Sequence, residues 1–135
     1  MQQTRRTRKR IGSRRYTPDS IVMVLLEMLL LVKLYHWKTI SYSQHKATDQ
    51  LYADLNLSID KFVEVMLGEK GGRIHASPSL PLFDFKDKAP LERKINEYKA
   101  FLMKMDASRF STDLLNIRDE ILGQLNQFSY LLTFQ

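Results

Sequence analysis

From Ile21 to Val32 the chain runs twelve residues with a single charge, Glu27. Thr17-Pro18-Asp19 precedes the run: a capping residue, a proline suited to the first helical position, and an acid for the first turn. Together they predict a helix from about Pro18 to Lys38. Its apolar residues are Ile21, Val22, Val24, Leu25, Leu26, Met28 to Leu31, Leu34, Tyr35 and Trp37, more than one stripe can hold. A helix apolar nearly all round must be covered on more than one side. In a chain of 135 residues, one domain's worth, that points to cover from a second subunit.

Three further helices follow from periodicity. A break at Ser41 to Ser43 leads into a second helix, about 43–67, with Leu51, Tyr52, Leu55, Ile59, Phe62, Val63 and Met66 at 3.6-residue spacing and Gly68 at its end. Residues 68–89 form a long connection for which a short helix or an interface role is expected. Pro90 opens a third helix bearing Leu91, Ile95, Tyr98, Leu102 and Met105. Ser111-Thr112-Asp113 caps a fourth bearing Leu114, Ile117, Ile121, Leu125, Phe128 and Leu132. No segment reads as a strand. The expected fold class is all-α, a ferritin-like four-helix bundle over residues 17–135 with one long crossover between its second and third helices.

Residues 1–16 read as a basic, flexible arm. Arg5, Arg6, Arg8, Lys9, Arg10, Arg14 and Arg15 give it seven cations and no acid, leaving 14 basic and 15 acidic residues for the rest of the chain. Such an arm suits DNA or another polyanion, whose phosphates it would neutralise without reading sequence. A targeting signal is the competing reading. The apolar run that follows is too short to span a bilayer, and no small-residue cleavage site follows it. An organelle transit peptide fits the acid-free composition. The expected location is cytoplasmic or nucleoid-associated, with a virion or organelle as alternatives, and no membrane partner is expected. Absence of cysteine excludes disulfides, thiolate metal sites and cysteine nucleophiles.

The second helix also carries His45, Asp49, Asp60 and Glu64. At 100° per residue they fall at roughly 0°, 40°, 60° and 100°, a narrow sector beside the apolar stripe. His36 lies near the same turn. Imidazole with carboxylates suits iron, manganese or zinc. His45 and Asp60 are fifteen residues apart, about 22 Å along a helix, so one ion cannot touch both within a chain. A two-fold axis across the helix would set His36, His45 and Asp49 of one chain against Asp60 and Glu64 of its mate. The simpler reading is a solvated helix face.

At these residues the sequence resembles the Dps branch of the ferritin-like superfamily, the DNA-protecting mini-ferritins. Leu34-Tyr35-His36-Trp37 is similar to that family's histidine-tryptophan signature, and His45-x3-Asp49-x10-Asp60-x3-Glu64 to its ferroxidase pattern. Gly71-Gly72 and the segment from Asp113 through Arg118-Asp119 to Leu131 add weaker likeness. The resemblance implies an iron-binding, iron-oxidising protein with its metal held between subunits of a homodimer or larger cage, His36, His45 and Asp49 coming from one subunit and Asp60 and Glu64 from the other. Eight residues separate His36 from His45, fewer than is usual in that family. The alternative is a non-enzymatic assembly protein, a nucleoid or virion component on the same scaffold with a vestigial site. Nothing resembles a phosphate-binding glycine loop or a nucleophile-and-base set.

Overall fold

The computed structural model describes residues 16–134; the arm cations Arg5 to Arg15 lie outside them. Four helices are formed: α1 (Pro18–Lys38), α2 (Tyr42–Lys70), α3 (Lys88–Met103) and α4 (Thr112–Leu131). No strand occurs among the described residues. The expected ends are close, because local chemistry sets them. Thr17 accepts from the Ser20 amide to cap α1, and Ser111 accepts from the Leu114 amide to cap α4. Beside that cap, the Ser111 side chain holds the Asp113 carboxyl below the usual carboxylate range. α2 runs three residues past the expected end, through Gly68, and stops at Gly71, whose φ of 75° suits glycine.

Side-chain contacts give the direction of each helix. The Asp19 carboxylate accepts from the His75 amide, so the exit of α2 meets the start of α1. Asp113 at the start of α4 lies beside Glu69 at the end of α2. The Lys88 ammonium donates to the Leu132 carbonyl, and Arg118 donates to the carbonyls of Leu102 and Met105. Each neighbouring pair is therefore antiparallel: α1 with α2, α2 with α4, and α4 with α3. Tyr16 closes the ring, donating to the Phe101 carbonyl and stacking on the Phe101 ring at 5.1 Å.

The core lies along the common axis. Leu25, Met28 and Val32 of α1, Leu55, Phe62 and Met66 of α2, Leu91 and Ile95 of α3, and Leu114, Ile121 and Leu125 of α4 are buried in it. A polar pair sits between α2 and α4, where the Gln124 amide donates to the Ser58 hydroxyl at 2.8 Å.

The expected short helix between α2 and α3 is not formed; residues 71–87 run as an extended strap. Pro78 and Pro81 withhold amide donors, Gly71 and Gly72 hold positive φ, and no 3.6-residue stripe is present to bury. The strap spans α1 lengthwise. It meets Asp19 through His75 and Lys38 through an Asp84 ion pair. The distance fits: nine extended residues reach about 30 Å, as do nineteen helical ones. Phe83 and Phe85, stacked at 5.6 Å, pack against the core, and the Lys94 ammonium sits 4.4 Å over the Phe83 ring.

Two leucines on α2 separate packing from exposure. Leu55→Ala, at a fully buried position, is expected to cost about 2–5 kcal/mol in urea denaturation. Leu57→Ala, at a position 73% exposed, is expected to stay within about 0.5 kcal/mol.

Candidate functional site

The turn between α1 and α2 brings three of the five candidate ligands together. Tyr35 at the end of α1 donates its phenol to Gln44 Oε1 at 2.7 Å, tying the helices across the turn. Thr39 Oγ1 bonds the same oxygen at 3.0 Å. Held in this way, the His36 and His45 rings stack with centroids 4.0 Å apart and planes 19° from parallel. His36 Nδ1 lies 2.9 Å from the His45 carbonyl, and His45 Nδ1 lies 3.1 Å from the His36 carbonyl. A carbonyl only accepts, so both Nδ1 atoms carry the proton. The result is a reciprocal clasp, in which each ring satisfies a backbone oxygen of the other residue. His36 O is one of the end carbonyls that α1 cannot pair within itself.

Thr48 completes the clasp. Its hydroxyl lies 2.8 Å from the Gln44 carbonyl, to which it donates, and 3.1 Å from His36 Nδ1, from which it accepts. His36 Nε2 lies 4.0 Å from Asp49 Oδ1. His36 is buried, whereas His45 and Asp49 are exposed.

Asp60 and Glu64 form a second group, one turn apart on the outer surface of α2. The Asp60 carboxyl, by hydrogen bonding and by its charge, pushes Glu64 above the usual carboxylate range. His45 and Asp60 are fifteen positions apart along α2, so the two groups stand about 22 Å apart within one chain. Among the described residues, no three His, Asp or Glu side chains of one chain are grouped to hold a metal. All five candidates would therefore meet only through a second copy. Within one chain, the chemistry of the clasp is backbone capping by imidazole.

Two features escaped sequence reasoning: the stacked histidine pair and its Thr48 partner. The spacing of Gln44 and Thr48 along the first turn of α2 is the only signal that could have suggested them, and it is a weak one. His75 donates its backbone amide to Asp19.

Comparison with known proteins comes from sequence. Residues 36–132 match a family described as "Family of unknown function (DUF5856)", and the chain belongs to it. A protein of Enterobacteria phage T4, described as "Uncharacterized 14.6 kDa protein in mobD-ri intergenic region", is 33% identical over 91 residues, covering 67% of this chain and 51% of that protein. The chain thus spans about half the length of that curated relative. No solved structure matches.

These matches overturn the resemblance to Dps mini-ferritins: one is to a family of unknown function and the other to an uncharacterized phage protein, and neither is described as a Dps protein or a ferritin. The misleading pattern has a physical origin. His45, Asp49, Asp60 and Glu64 are all exposed positions of α2, and the helical repeat that places its apolar stripe inside spaces polar residues outside at the same intervals.

The acid pair gives a pH test with a definite sign. A carboxyl whose folded pKa is raised binds its proton more tightly in the folded state. The pair therefore favours the fold at low pH, and that contribution is lost as pH rises through the Glu64 transition. Asp60→Asn is expected to lower the Glu64 titration midpoint, followed by NMR of the side-chain carboxyl carbon. An unmoved midpoint would mean that the two carboxyls do not interact.

Proposed function

We propose, taking membership of this family as the premise, that the chain is a non-enzymatic assembly protein that associates with nucleic acid through its basic N-terminal arm. The observation that carries this reading is the segregation of charge. Seven cations and no acid stand in the first fifteen residues, and 14 bases against 15 acids in the remainder. Cations spread over a fold keep a protein soluble; cations collected in one segment make a polyanion ligand. The phage relative, itself described as uncharacterized, fits this reading better than iron chemistry.

In this reading the bundle is a scaffold whose architecture we take to be ferritin-like, with α2 at its centre. The histidine clasp belongs to the scaffold: it fixes the α1–α2 turn. Phosphate contacts by a charged arm are sequence-independent, so discrimination between DNA sequences is expected to be small.

Binding of the full chain to duplex DNA, measured by fluorescence anisotropy against salt, tests the reading. If all seven arm cations meet phosphates, log K against log salt falls with a slope of about −6. Deletion of residues 1–15 is expected to abolish binding, and the His45→Ala/Asp60→Ala variant to retain it. Equal affinity of the full and shortened chains would overturn the proposal.

A further inference from the structure

α1 buries one side in the core and turns a second row outward. Leu26 and Leu30 are 38% and 39% exposed, and Trp37 is 69% exposed. Met23, Glu27, Lys33 and Leu34, half-buried, belong to the same row. At 100° per residue all seven fall within about 60° of Leu30 around the helix. The row also has an order along the helix. Counting outward from Leu30, Glu27 and Lys33 stand three positions away on either side, Leu26 and Leu34 four, and Met23 and Trp37 seven. Each residue thus has its complement at the same distance beyond Leu30: acid and base, leucine and leucine, thioether and indole.

We propose that this row is the interface of a homodimer, in which α1 packs antiparallel against α1 of a second copy with the two-fold axis at Leu30. The proposal uses only described residues and goes beyond the nucleic-acid reading without resting on it. A two-fold contact sets residue i against j and j against i, so a row that reads complementarily in both directions is self-complementary. Leu30 meets Leu30, Leu26 comes level with Leu34, and Trp37 comes level with Met23, whose sulfur suits an aromatic neighbour. Glu27 of each copy comes level with Lys33 of the other. With helix axes about 9 Å apart, the flexible lysine stem brings the two charges within reach. The two Glu27 carboxyls stand six positions apart along the axis, about 9 Å, so each acid lies nearer the other copy's base than its acid. Among the described residues no ion pair engages Glu27. Lys33 is held at the edge of the row, its ammonium 4.5 Å over the Tyr52 ring and 5.4 Å from the Trp37 ring. Beside Met23, α1 and the strap leave a cleft of about 170 Å³ lined in part by Val24, Glu27 and Pro81, and Trp37 of the other copy comes to its level.

Other occupants fit less well. A bilayer would accept the leucines, but Glu27 sits among them, and hydrocarbon offers a carboxylate no partner. An unrelated protein would have to supply the same ordered row, which a second copy supplies by symmetry. The apolar surplus of α1 pointed to cover by a second subunit; the exposed row says which residues meet and in which direction.

Sedimentation equilibrium of the full chain over a concentration series tests the dimer. Trp37 is the chain's one tryptophan, so its emission is expected to move to the blue as the dimer forms. The chain has no cysteine, so single cysteines report the register. Leu30→Cys is expected to cross-link under mild oxidation. Met23→Cys is not, since its two copies stand fourteen positions, about 21 Å, apart along the axis, beyond the span of a disulfide. Glu27→Lys, which sets cations level with one another, is expected to weaken the dimer about tenfold or more, and Glu27→Lys/Lys33→Glu to recover it, with helical circular dichroism unchanged throughout. Four results would overturn the proposal: a monomer at every concentration; equal cross-linking of the two cysteine variants, which would mean a parallel or random encounter; unchanged dimer affinity in Glu27→Lys, which would place the interface elsewhere; or an emission shift that appears only on adding phosphatidylcholine–phosphatidylglycerol vesicles, which would mean a bilayer covers the row.

Discussion

Burial of one face of α2 between α1 and α4 sets the geometry of everything else. Leu51, Leu55, Ile59, Phe62 and Met66 recur at helical spacing and are buried, and that single phase fixes the rotation of a 29-residue helix. Once the phase is set, Thr48 must face inward toward His36, Ser58 must face Gln124, and Asp49, Asp60 and Glu64 must face out. Slipping the stripe by one residue would turn α2 through about 100° and drive those carboxylates toward the core, at several kcal/mol for each unpaired charge. The polar pattern of α2 is thus largely a consequence of its apolar one.

That dependence explains what the sequence could and could not reveal. Helix starts were legible because they rest on neighbours in the chain: Thr17 with Ser20, and Ser111 with Leu114. The stop of α2 at Gly71 in place of Gly68 was ambiguous, since either glycine can end a helix and only the former takes positive φ. The strap was illegible as structure because its order comes from distant partners, Asp19, Lys38 and Lys94, and not from its own periodicity. The candidate site was half legible. His36, His45 and Asp49 do converge, but the reciprocal bonds that hold the rings depend on backbone carbonyls, which sequence patterns do not display. A ligand-like spacing on a solvated helix face arises from the helical repeat itself, and family membership, not spacing, decided against the mini-ferritin resemblance.

The same physics separates the bundle from the arm. The bundle buries a continuous core. The arm, residues 1–16, carries seven cations and no acid, and its hydrophobic residues are Met1, Ile11 and Tyr16. The outer row of α1 is apolar surface that the rest of the bundle leaves uncovered: Leu26 and Leu30 are partly exposed and Trp37 largely so. Function on this account belongs to charge and exposed surface and not to an enclosed reaction centre.

The central claim, that the arm engages the partner while the bundle only carries it, is tested most directly by the amide NMR spectrum of the full chain titrated with a short DNA duplex. The account predicts shifts that begin at the N-terminus and fade by the start of α1, with the amides of His36, His45, Asp60 and Glu64 unmoved. Shifts concentrated at those four residues, with the arm unchanged, would contradict it and return the chemistry to the surface of α2.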